Sequence, residues 1–190
     1  GVPTVLCGQL EGHPYRDVFS TVYSDDEEGG HFAALAMKER GRKDIVAVLG
    51  PQDNPAVVDR LRGYRAVLGE DLPDANVIYT GWNNGDGYQA MHQILAREIA
   101  FDGVLCGSDR IAAGVITALN EAGLSVPADV SVVGFDDHEI AARCVPALTT
   151  VRQPLREEGH MAANIALDMI KGAEPTTSVM HMQLIQRDSL

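Results

Sequence analysis

Basic residues are scarce in this chain: 15 Lys and Arg stand against 27 Asp and Glu, a formal net charge of −12 with His neutral. A surface that grips nucleic acid needs Lys and Arg clustered against phosphates. Here they are scattered among acidic side chains, so this segment is not expected to bind DNA or RNA itself. Long apolar runs are missing, and nothing approaches the length of a membrane span, so no membrane partner is expected. No secretory leader is expected either, because Gly1-Val2-Pro3 runs directly into a strand-like stretch. Cysteine is limited to Cys7, Cys106 and Cys144, an odd number without a C-x-x-C spacing. That argues against a disulfide framework and a cysteine metal site. Cys7 and Cys106 lie in apolar strand-like runs and read as buried free thiols in a reducing, cytoplasmic setting.

Catalytic signatures are absent as well. The chain has no G-x-S-x-G elbow, no P-loop and no H-E-x-x-H. Gly81, Gly85 and Gly87 surround Trp82, but their spacing fits neither phosphate-loop pattern. Asp136-Asp137-His138-Glu139 is dense in ligand types, yet four consecutive residues rarely converge on one ion. His13, His31, His92, His160 and His181 fall in unrelated places and read as surface or packing residues. Cys106 has no neighbouring base to activate it. The chain is therefore expected to be no enzyme, with no metal and no cofactor.

What is present is an alternation of strand and helix. The segment from Phe101 to Asp137 is one complete unit. Gly103–Cys106 is a short apolar strand, and Ser108-Asp109 opens a helix with Ile111, Val115, Ile116 and Leu119 on one face. Gly123 ends that helix, Pro127 prevents re-entry, and Val130–Phe135 is the next strand. Further strands are expected at Pro3–Cys7, Val18–Tyr23, Ile45–Leu49, Val77–Thr80, Thr149–Arg152 and Val179–Ile185. Helices are expected over Asp25–Glu39 (Phe32, Leu35 and Ala36 inward) and after the Asn54-Pro55 cap (Leu61, Tyr64 and Leu68 inward). Others are expected over Asn84–Glu98 (Tyr88, Met91 and Leu95) and Arg156–Lys171 (Ala162, Ile165, Ala166, Met169 and Ile170). The stretch from Asp137 to Pro146 reads as irregular. Strands recur about every 30 residues from Ile45 to Phe135, the size of a βαβ unit. Right-handed crossovers then give an α/β fold, a doubly wound parallel sheet with helices on both faces.

Several strings in fixed order carry a family resemblance. They are D-D-E-E-G-G-H-F-A-A, L-G-P, R-L-R-G-Y, S-D-R-I-A-A-G, G-L-S-V-P-A-D-V-S-V-V-G-F-D-D and P-A-L-T-T-V-R-Q-P. Together they resemble the sugar-responsive LacI/GalR-type bacterial regulators over nearly the whole chain. The resemblance implies a periplasmic-binding-protein-like (type I) effector domain of two similar lobes joined by three crossings. It places 24–152 and 178–190 in a nearly complete C-terminal lobe, and 1–23 and 155–172 in a partial N-terminal lobe. It implies that the N-terminal helix-turn-helix of such regulators lies outside this chain. It also implies a small-molecule effector, a sugar or sugar derivative, bound between lobes whose closure alters operator binding, in a cytoplasmic homodimer. A periplasmic sugar-binding protein of a transport system is the alternative with the same fold.

In an open parallel sheet, ligands bind at the carboxyl ends of the strands. A sugar needs aromatic faces for its C–H side and carboxylates, amides or guanidinium groups for its hydroxyls. The loops after strands supply Tyr23, Arg60, Trp82, Ser108, Asp109, Asp136 and Gln153, and the resemblance carries effector contact onto these same residues. Each has a structural alternative. Arg60 is a helix residue that solvent or an ion pair can satisfy, and Arg62 is its register alternative. Trp82 suits a core or lobe interface, Asp109 a helix cap, and Asp136 a turn.

Overall fold

The computed structural model describes residues 2–9, 18–97 and 99–190; His13 and Glu98 lie outside them. The chain divides into two units, Gly1–Asp25 with Gln153–Met182, and Asp26–Arg152 with Gln183–Leu190. The smaller holds β1 (Val5–Cys7), β2 (Ser20–Ser24), α6 (Leu155–Ile170) and β8 (Thr177–Met180). Its strands form a parallel sheet in the order β1-β2-β8, with α6 packed on β1 and β2. Of the residues expected to face inward on α6, Ile165 is buried and Ala162, Ala166 and Met169 are partly so, but Ile170 is 68% exposed.

The larger unit holds α1 (Asp26–Glu39), β3 (Ile45–Leu49), α2 (Pro55–Leu68), β4 (Val77–Tyr79), α3 (Asn84–Leu95) and β5 (Gly103–Cys106). It continues with α4 (Asp109–Glu121), β6 (Ser131–Asp136), α5 (Glu139–Arg143), β7 (Thr149–Arg152) and β9 (Gln183–Ile185). The sheet runs β4-β3-β5-β6-β7-β9, parallel except for β9. From β3 the chain moves outward to β4, then returns to β5 on the other side of β3. Strand order therefore reverses between β3 and β5, the position where doubly wound sheets open a crevice. Every residue of β3 and β5 is buried, as expected for strands covered on both faces. Val46, Val48, Val104, Cys106 and Val132 pack with Met91, Ile94, Ile111, Val115 and Leu119 of α3 and α4. Strand alternation turns Ile45, Ala47 and Leu49, also buried, toward the opposite helix layer.

Both helix pairs cross at glycine. A Cβ on Gly63 of α2 would overlap the Glu27 carbonyl oxygen, and one on Gly30 of α1 would overlap the Arg60 carbonyl oxygen. Gly87 of α3 and Gly114 of α4 meet the same way, against Ile111 and Asn84 carbonyl oxygens. This close approach sets the faces of the helices. The α1 core face is Gly29, Gly30, Ala33, Ala34, Ala36 and Met37, with Phe32 and Leu35 only half-buried, a rotation from the expected face. On α3 the buried set is Gly87, Ala90, Met91 and Ile94, with Tyr88 and Leu95 only partly buried against the same core. On α2, Leu61, Tyr64 and Leu68 are buried as expected.

Four other expectations change. The closing strand Val179–Ile185 is two strands: β8 completes the smaller sheet, and β9 runs antiparallel to β7 at the edge of the larger one. The return into the larger unit falls after Met182 rather than at residue 178. The stretch read as irregular contains α5, capped by His138, whose Nδ1 accepts from Ile140 N–H. Cys7 is exposed on the short strand β1 and Cys144 is partly buried, so only Cys106 is an enclosed thiol among the three. Burial raises the Cys106 thiol well above its ordinary value.

Candidate ligand site at the strand ends

Arg60 sits at the reversal point between β3 and β5. The Asn54 side chain accepts from Ala56 N–H and Pro55 takes the first helical position, so α2 starts cleanly and presents Arg60 from its second turn. Arg60 is 4% exposed. Its Nε donates to Asp26 Oδ1 at 2.7 Å and its Nη1 to the Gly107 carbonyl oxygen at 2.5 Å. The guanidinium lies 3.8 Å above the Phe135 ring centroid, and Nη1 is 3.8 Å from Asp136 Oδ1. A buried cation needs this many partners to offset its lost hydration. Nη2 carries no hydrogen bond among the described residues. No fully buried side-chain nitrogen or oxygen among them is left unpaired, so Nη2 opens to solvent. Arg62, the register alternative, is exposed and pairs with Glu27 and Asp59.

Trp82 follows β4 and is half-buried against the core. Its six-membered ring lies where a Cβ on Gly50 would stand, so the glycine of L-G-P makes room for the indole beside the end of β3. Ser108 is the N-cap of α4: its Oγ accepts from Ile111 N–H at 3.3 Å. Asp109 is fully buried. Its Oδ1 accepts from Thr150 Oγ1 at 2.5 Å and its Oδ2 from His138 N–H at 2.6 Å, so both oxygens serve the protein's own structure. Burial lifts the Asp109 carboxyl to about 7; the Thr150 and His138 hydrogen bonds oppose the rise, and the neighbouring Asp136 and Asp137 add to it.

The chain turns at the end of β6, where Asp136, its last residue, and Asp137 have φ of 108° and 54°. Side chains other than glycine hold such backbone only where the surroundings enforce it. Asp137 is pinned by Arg152 Nε at 2.7 Å and Arg187 Nη2 at 2.6 Å. Burial alone would raise its carboxyl, but hydrogen bonds from Arg187 and Arg152 outweigh that and hold it below the ordinary range.

The structure thus brings Arg60, Asp136 and the Asp26 carboxylate together, with Trp82 and Ser108 at the ends of the neighbouring strands. Tyr23 and Gln153 stand in the smaller unit, both half-buried. In that unit Ser24 Oγ donates to the buried Glu158 at 3.1 Å, a pair the sequence reading missed. It also missed Asp26, Phe135 and Thr150. Asp26 stands in the D-D-E-E string and Thr150 in T-T-V-R-Q-P, both within strings that carry the family resemblance. A cavity of about 480 Å³ opens nearby, lined in part by Asn83, Arg110, His138 and Arg143. Arg60, Trp82 and Asp136 are not among its walls, and the convergence of charged groups, not this cavity, marks the site.

A doubly wound parallel sheet with charged side chains gathered at its reversal point defines a small-molecule-binding class of α/β domain. The chain belongs to the family described as periplasmic binding protein-like domain, which matches residues 34–190, and within it to the LacI type. It is 36% identical over 184 residues to the HTH-type transcriptional repressor PurR of Escherichia fergusonii, covering 94% of this chain and 54% of that protein. The chain therefore spans about half the length of the curated relatives it matches. Among solved structures it resembles a transcriptional regulator CelR–cellobiose complex (TM-score 0.91, 34% identity, 98% of this chain and 58% of that one). It also resembles a LacI family transcriptional regulator from Enterococcus faecium with bound ribose (TM-score 0.80, 30% identity, 90% and 65%). These relatives are named as regulators of transcription, not as enzymes or transport proteins.

Proposed function

We propose that this domain senses a small effector, a sugar or close derivative, for a LacI-type transcriptional regulator. Arg60 carries the reading: a buried guanidinium at the strand-order reversal, with Nη2 left for a ligand oxygen and the Asp136 carboxylate 3.8 Å from Nη1. Arg60 and Asp136 hold ligand hydroxyls, Trp82 offers an aromatic face, and Ser108 adds a hydroxyl at the start of α4. Asp109 acts through the turn it holds rather than by touching ligand. No catalytic role is assigned. Operator contact belongs to a DNA-binding head outside residues 1–190, and the regulator works as a homodimer in the cytoplasm. The cellobiose and ribose named with similar structures are the first ligands to try.

The test is a thermal-shift and calorimetric screen of cellobiose, ribose and other sugars on this chain and on the intact regulator. A ligand at about 100 times its Kd stabilises the native state by about 2.7 kcal/mol. Trp82→Ala and Asp136→Asn are expected to abolish the response. Variants that respond like the wild type would remove these residues from the site.

A further inference from the structure

Asp109 has a second feature that capping does not explain. Ser108 already caps α4, yet Asp109 keeps a carboxylate fully buried with no cation on it among the described residues. A Cβ on residue 134 would overlap Oδ1, so β6 leaves room for this carboxylate by placing Gly134 opposite it. The carboxylate joins three parts of the larger unit: the start of α4, Thr150 of β7 and the backbone of His138 just beyond the Asp136–Asp137 turn. Thr150 extends the tie, because its Oγ1 also accepts from Asp137 N–H at 3.4 Å.

We propose that Asp109 is a positioning residue: its ionised carboxylate holds the Asp136–Asp137 turn in the shape that presents Asp136 beside Arg60, and protonation of Asp109 loosens that turn and weakens ligand binding. This coupling rests on reading the Arg60–Asp136 face as the ligand site. A carboxylate accepts on both oxygens, whereas a carboxylic acid donates from one. If the new proton points at Thr150 Oγ1, the Thr150 hydroxyl must turn its own hydrogen away, and Oγ1 must then accept from both Asp109 and Asp137 N–H. The His138 N–H bond changes from charge-assisted to neutral, which roughly halves its strength. The strained backbone of Asp136 and Asp137 then loses two of its restraints.

The groups around Asp109 let this happen near neutrality. Asp136 and Asp137 face it from the turn, and Cys106 and Cys144 from the end of β5 and beyond α5. Burial raises both thiols, so they stay uncharged there. Arg152 and Arg187 are turned onto Asp137, and the His138 ring accepts from Ile140 N–H. Ligand binding that prefers the ionised form strengthens as pH rises through about 7. By reciprocity, bound ligand lowers the Asp109 pKa.

The experiment is a ¹H–¹⁵N NMR titration of this chain from about pH 5.5 to 8.5, run in a His138→Asn background. Asn keeps a capping side chain without an ionisable ring beside the turn. The amides of residues 137 and 138 are expected to shift together with a midpoint near 7. Asp109→Asn should abolish that transition, Thr150→Val should move the midpoint upward, and Thr150→Ser should leave it in place. Cellobiose and ribose affinities are then measured by calorimetry at pH 6 and pH 8. The expected result is binding about tenfold weaker at pH 6, the weight of one such hydrogen bond, and no pH dependence in Asp109→Asn. Flat amides, a midpoint that survives Asp109→Asn, or a pH-dependent affinity that survives it would each overturn the assignment. If neither sugar binds at either pH while the amides titrate as expected, the Asp109 tie stands and the sugar reading of the site fails.

Discussion

Deleting the Arg60 side chain would remove the 2.7 Å bond to Asp26, the Nη1 bond to Gly107 and the stacking on Phe135 together. Removing one member of a buried ion pair costs about 3–5 kcal/mol. Arg60→Ala is therefore expected to lower stability by about that amount in urea denaturation, and Arg60→Lys to recover little of it. A single ammonium cannot bond Asp26 and Gly107 and also stack on Phe135 in the geometry of a planar guanidinium. Stability equal to wild type in either variant would contradict the observed packing. Loss of ligand response in Arg60→Ala alone would confuse unfolding with lost contact, so Trp82→Ala and Asp136→Asn are the sharper probes of the site. At this scale the sequence made Arg60, Trp82 and Asp136 visible through R-L-R-G-Y and the strand-end loops. It did not show that Arg60 meets Asp26, 34 positions earlier, because that pairing exists only once α1 and α2 have packed. Nor did it show that Asp109, read as a ligand or cap residue, spends both oxygens on Thr150 and the His138 backbone.

The helix crossings test whether propensity or packing decides. Alanine is better than glycine in a helix interior by about 1 kcal/mol. At Gly63 and Gly114 the new methyl would meet backbone oxygens of the neighbouring helix, Glu27 and Asn84, which cannot swing aside as a flexible side chain would. Overpacking of this kind costs about 1–3 kcal/mol, so a net loss is expected for Gly63→Ala and Gly114→Ala. Gly159 in α6 has nothing within 4 Å of an added Cβ, and Gly159→Ala is expected to stabilise by up to about 1 kcal/mol. Urea midpoints at an unchanged slope decide the matter, and a gain at all three positions would mean the helices have room to separate. The same glycines explain what the sequence could not convey. Periodicity located the helices, but the α1 core face turned out to hold Gly29, Gly30 and small alanines, residues a hydrophobic pattern does not weigh. The closing strand looked continuous from Val179 to Ile185, since nothing in its composition marks where β8 leaves one sheet and β9 joins another.

Across the whole molecule, two neighbouring carboxylates pull the pH dependence of stability in opposite directions and in separate windows. An unfolded Asp titrates near 3.9. Asp109 is raised to about 7 when folded, so the folded chain binds more protons than the unfolded one between those values. Its contribution is therefore fully present below about pH 4 and is lost as pH rises to about 7. Asp137 is lowered when folded, so its contribution is present above about pH 4 and is lost only as the solution becomes more acidic. The net charge of −12 adds self-repulsion, but salt screens that term while leaving a buried group almost untouched. Urea unfolding at several pH values between about 5 and 8, at low and high salt, is expected to show wild-type stability falling relative to Asp109→Asn as pH rises, by the same margin at both salt levels. Parallel curves for the two proteins would mean that Asp109 is not protonated in the folded state at neutral pH. A difference that vanished in high salt would assign the trend to surface charge. If the curves diverge as expected, the chain keeps at position 109 a carboxylate that weakens its fold at neutral pH.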